Sequence, residues 1–182
     1  MAGPVNGSTT KAGAPSAWGH ISHPATGLAL PVPPGWQAAR DTGAALVLAG
    51  PGQAARFRPN AVATVERPPP AVTEISAYTA ASVAGLQRML TGLHVIAIDV
   101  VTLGGQDGRR VLCGYRDGAY AIAAESWSAM TAGVATSLTA SCQVEDYLDL
   151  SPVFENIAAG MVPAVRLPAP ETVPEAAPEA GR

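Results

Sequence analysis

Between residues 95 and 144 four long stretches rich in apolar residues are separated by short breaks: Gly104-Gly105, Asp117-Gly118 and Thr131-Ala132-Gly133. Gaps this short join antiparallel strands, because parallel neighbours need a crossover of a dozen residues or more. The spacing therefore predicts a meander of strands over 95–103, 109–116, 119–130 and 134–144. Gly104-Gly105-Gln106-Asp107-Gly108 lies between two of these strands and opens no helix, so it reads as a hairpin loop rather than a phosphate cradle.

Turn chemistry also predicts the register. With Asp117-Gly118 as a two-residue turn, Arg116 faces Ala119; with Thr131-Ala132-Gly133 as a three-residue loop, Met130 faces Val134. One face then collects Val111, Cys113, Tyr115, Ile122, Leu138 and Cys142, the expected core. The opposite face collects Arg116, Ala119, Ala121, Ala123, Glu125, Trp127, Ser137, Thr139 and Ser141, small in side-chain volume apart from Trp127. Cys113 and Cys142 fall on one face, two strand spacings or roughly 10 Å apart, beyond the roughly 7 Å that a disulfide spans. They read as buried free thiols packing as small hydrophobes.

Upstream, residues 27–32 alternate and break at Pro33-Pro34-Gly35-Trp36, and short apolar runs at 44–49 and 61–66 flank a Pro/Gly/Arg loop. A helix follows Pro68-Pro69-Pro70, with Thr73 as N-cap, Glu74 in the first turn, Ile75, Tyr78, Leu86, Leu90 and Leu93 at helical spacing, and Gly92 placed as the C′ residue. A second helix is predicted from Ser151 as N-cap and Pro152 at N1, carrying Val153, Phe154, Ile157 and Met161 inward. Strands, one long helix, a meander and a last helix define an α+β fold with a mainly antiparallel sheet.

Both ends read as tails. Residues 1–15 are small and polar, and 166–182 are rich in Pro, Ala and Glu, which leaves a single domain over 16–165. The net charge of −3 sits largely on Glu171, Glu175 and Glu179, so the body is near neutral and has no basic field for nucleic acid or an anionic membrane. The first residues have no apolar h-region, no cysteine there could carry a lipid, and no stretch of about 18 apolar residues occurs; the expectation is a cytoplasmic chain without direct membrane insertion.

Catalytic patterns are sparse. No Gly-x-Ser-x-Gly elbow, Walker loop or His-Glu-x-x-His motif is present. His20 and His23 lack a neighbouring cysteine or carboxylate and read as a solvated strand end, and His94 suits the C-terminus of the preceding helix. Glu145, Asp146 and Asp149 cluster before the last helix, where negative charge complements the helix dipole. No residue pattern calls for a metal or cofactor.

Leu30-Pro31-Val32-Pro33-Pro34-Gly35-Trp36, residues 58–66, residues 101–105, residues 119–130 with Trp127, and Tyr147-Leu148 through Phe154 and Ile157 together resemble the LpqN/LpqT group of actinobacterial proteins. That group is similar to the wider PsbP-like superfamily, which includes a photosystem accessory protein, a Ran-binding import factor and chaperones of secretion effectors. The resemblance covers about residues 16–165. It implies a three-layer α/β/α sandwich around an antiparallel sheet, and a non-enzymatic module acting through protein contacts, with no catalytic residues to carry over. The expected function is protein binding, as an adaptor, a secretion-associated chaperone or an accessory subunit, with another protein as partner and a secretion-system component among the candidates. A carrier of a small apolar ligand in a sheet–helix cavity is the alternative. The candidate partner-binding residues are Trp127, Glu125 and Arg116, an aromatic anchor with charged flanks on the small-residue face; the competing expectation is that the last helix covers this floor.

Overall fold

The computed structural model describes residues 17–40, 46–52 and 56–167; the expected N-terminal tail, 1–15, and residues 168–182 of the expected C-terminal one lie outside them, while its first two residues, Arg166 and Leu167, are described, with Arg166 bonded to the Ala25 carbonyl and Leu167 packed against the core. The elements follow as β1 (Gly19–Ser22), β2 (Ala29–Val32), β3 (Gln37–Arg40), β4 (Leu46–Ala49), β5 (Asn60–Glu66), α1 (Ile75–Met89), β6 (His94–Leu103), β7 (Gln106–Asp117), β8 (Tyr120–Thr131), β9 (Val134–Gln143) and α2 (Tyr147–Ala159). β1 and β2 form a hairpin, and the other strands form one sheet in the order β3-β4-β5-β9-β8-β7-β6. Every pairing is antiparallel. The predicted meander is β6 to β9. Because β5 pairs with β9, the meander's first strand, β6, is left at the sheet's edge.

The helices lie on opposite faces. Tyr78 of α1 reaches Glu66 and Ser137 on one face, while Tyr147 and Ser151 of α2 reach Glu125 on the other. The α/β/α layering is thus the expected one. The larger core lies under α2, where Phe154, Ile157 and Met161 meet Leu46, Leu48, Trp127 and Leu138 of the sheet and Leu28 and Leu30 of the β1–β2 segment. Trp36 closes it edge-on to Phe154, ring centroids 6.3 Å apart. Under α1 the sheet is paved with small hydroxyls: Ser128 and Ser137 are 2.9 Å apart, Ser126 and Thr139 3.1 Å.

The meander register differs from the one predicted. Asp117 faces Tyr120, so the turn is Gly118-Ala119, with Gly118 at φ +56° in the first central position, as a type II′ turn requires. Thr131 faces Val134, so the next turn is Ala132-Gly133, with both residues at positive φ (50° and 74°) as in type I′. The first change moves the pairing by two and keeps each residue of β7 and β8 on its expected face. The second moves it by one and turns all of β9 over. Cys142 therefore lies opposite Ala123 on the α2 face, and Cys113 opposite Ala124 on the α1 face. Both are free and buried, as expected, but on opposite sides of the sheet.

The helix boundaries also move. The N-cap of α1 is Glu74, not Thr73. α2 begins at Tyr147 after a 3-10 turn over Val144–Asp146, so Ser151 and Pro152 lie inside it rather than at its start. Tyr147 and Ser151 are one helical turn apart and share one acceptor, Glu125, which holds that extra turn in place. Pro152 withholds one intrahelical hydrogen bond, from the carbonyl of Leu148, a residue open to water.

Candidate protein-contact surface

Trp127 and Glu125 share a sheet face with Arg116, as the alternation predicts, but α2 and the β1–β2 segment seal the first two from solvent. Trp127 is 3% exposed and Glu125 0%, while Arg116 stands exposed at the end of β7. Of the two expectations for the floor around Trp127 and Glu125, an open groove or a seat for the last helix, the second is the one found, with Phe154, Ile157 and Met161 buried there.

Glu125 instead centres a polar cluster inside the core. Arg110 grips both of its oxygens, Nε to Oε2 at 3.1 Å and Nη2 to Oε1 at 2.9 Å, and also binds Asp99 Oδ2 through Nη1 at 3.0 Å. The hydroxyls of Tyr147 and Ser151 both donate to Oε1. A fully desolvated carboxylate persists because it is paired and bonded on both oxygens. The Glu125 carboxylate in turn raises the Arg110 guanidinium above its usual range, and burial, then the bond to Glu125, raises the Tyr147 phenol.

The acidic cluster before α2 is likewise engaged. Arg56 binds both Glu145 and Asp146 and donates to Gln143 Oε1 at 3.2 Å, pinning the loop before β5 to the end of β9. Next to it lies an open depression of about 230 Å³, lined by Phe57, Asp149 and Leu150 among others. A second of about 420 Å³ lies over Pro68-Pro69-Pro70 and Met130. Among the described residues no group of three or more His, Cys, Asp or Glu side chains is placed to hold a metal ion, and no helix is long and apolar enough to cross a membrane.

What sequence reasoning missed is the edge position and exposure of β6, whose strand it did predict. Its ten residues form one edge of the sheet, and Val95 (37%), Ile96 (65%), Ile98 (54%) and Val100 (73%) are exposed along it, with Met89 (73%) in the last turn of α1 just before. These are half of the large apolar side chains that stand exposed among the described residues. Val95 pairs with Cys113, Ile98 with Val111 and Val100 with Arg109, so the three share the α1 face of the sheet; Ile96 is the extra residue of a bulge. The strand carries no Lys or Pro, and its one carboxylate, Asp99, is taken by Arg110. The opposite edge, β3, is blunted: four residues long, ending at Arg40, whose Nε donates to the Ser22 carbonyl at 2.7 Å. The sequence signal was available in the run Val95-Ile96-Ala97-Ile98, apolar at consecutive positions, but exposure follows only once the strand order places β6 at the edge.

This antiparallel sheet with a helix on each face resembles the PsbP-like fold. Solved structures that share it include LpqN of Mycobacterium tuberculosis, involved in cell envelope biogenesis (16% identity, TM-score 0.60, covering 81% of this chain and 91% of that one). Cyanobacterial PsbP from Synechocystis matches at 13% identity and TM-score 0.60, over 87% of this chain and 98% of that one. PA94 of Pseudomonas aeruginosa, a protein of unknown function, matches at 11% and 0.59, over 81% and 98%. The fold thus resembles LpqN, as the sequence motifs suggested; no family model and no curated protein matches.

Proposed function

We propose that this chain is a non-enzymatic protein-binding module and that it engages its partner at the β6 edge. The observation that carries the reading is the apolar strip Val95, Ile96, Ile98 and Val100 on a strand whose outer edge no described strand pairs with. Unpaired backbone groups beside exposed β-branched side chains are what strand addition uses: the main chain supplies affinity and alternate side chains supply selectivity. Adaptor, secretion-associated chaperone and accessory subunit are three forms of this role, and a secretion-system component is one candidate partner. A reducing cytoplasm suits two free thiols.

A photo-crosslinking residue placed at Ile98 in the native cell tests the reading. Adducts joining this chain to another polypeptide are expected from that position and not from Arg88 on the outer side of α1. Equal yields from both positions, or none from Ile98, would overturn it.

A further inference from the structure

We infer that the strand added to β6 is β6 of a second copy, giving a two-fold dimer with a continuous sheet across the interface; this rests on the protein-binding reading above. Three observations favour a second copy. The strand is nearly without charge, since Asp99 is held by Arg110 at 3.0 Å, so it offers a charged foreign segment nothing to recognise and does not repel itself. Antiparallel pairing places residues of one face opposite each other, so a two-fold axis through Ile98 or Val100 merges the two apolar strips. Finally, β6 offers ten residues of edge backbone, and a two-fold pair sets the exposed Val95, Ile98 and Val100 of each copy side by side, adding lateral apolar contact to the new backbone ladder.

Sedimentation equilibrium of the purified full chain over a concentration series, for the wild type, Ile98→Lys, Val100→Lys and Leu148→Lys, tests this. Leu148 is exposed at 84% on α2, away from the strip. The wild type and Leu148→Lys are expected to have the mass of two chains, and each β6 variant the mass of one. Unchanged circular dichroism would show that the β6 variants still fold. A wild type with the mass of one chain throughout, or a dimer that survives both β6 substitutions, overturns the inference. If the wild type is a monomer while the Ile98 crosslinker still captures a different polypeptide, the second copy is rejected and the protein-binding reading stands. If nothing is captured either, both fall.

Discussion

Tyr147 donates its hydroxyl hydrogen to Glu125, a carboxylate with no solvent exposure, and so pins the first turn of α2 to the middle of β8. Arg110 completes the arrangement from β7. Glu125→Ala leaves the guanidinium without its main partner and should cost about 3–5 kcal/mol in urea unfolding. Tyr147→Phe removes a single bond to the carboxylate and should cost less, about 1.5–3 kcal/mol. Equal, negligible losses would mean that the cluster contributes nothing to holding α2.

Trp127 belongs to the core. With 3% exposure under α2, Trp127→Ala opens a cavity and should destabilise the fold by about 3–5 kcal/mol. Equilibrium denaturation measures this directly; a loss below about 1 kcal/mol would place the ring at the surface after all.

Burial, with smaller contributions from Asp146 and Glu125, pushes the Cys142 thiol up to about 12 from an ordinary 9.0. The folded state holds this proton more tightly than the unfolded state. The stabilisation is therefore complete below pH 9 and declines as pH rises from 9 toward 12, by at most about 1.4 kcal/mol per pH unit. Cys142→Ala should flatten the alkaline stability profile relative to wild type. In the native protein at pH 8 both thiols should react slowly with a thiol reagent, and in denaturant without reductant two should titrate.

Ala132 is the one described non-glycine residue at positive φ. A left-handed Ala is strained by roughly 1–2 kcal/mol, so Ala132→Asn, which restores the favoured Asn-Gly pair of a type I′ turn, should stabilise by about 0.5–1 kcal/mol. A lower melting temperature in this variant would contradict the turn assignment.

That turn also marks where the sequence stopped being legible. The meander and both helices follow from turn residues and apolar periodicity, which are local signals, whereas the α/β/α layering is what the family resemblance implied. Register across a hairpin depends on which residues enter the turn, and Thr131-Ala132-Gly133 read as a three-residue loop where Ala132-Gly133 alone makes the turn. The structure strains Ala132 to make a two-residue turn, and one residue of slip carried Cys142 and Leu138 to the other face. Ser151 and Pro152 imitate a helix start, yet Tyr147 and Ser151 are placed by a carboxylate more than 20 residues upstream, a tertiary contact that no local pattern encodes. Glu125 and Trp127 read as surface candidates because alternation gives the face but not what covers it. The exposure of β6 depends on β5 pairing with β9, a non-local choice.

Hydrogen–deuterium exchange at β6 is the most direct measurement of the central claim, that this edge receives a strand. In the assembled wild-type protein the β6 amides that point away from β7 should be protected. In Ile98→Lys they should exchange rapidly while β8, interior to the sheet, stays protected. Rapid exchange of the outward β6 amides in the wild type, at concentrations where a complex is present, would contradict strand addition at this edge.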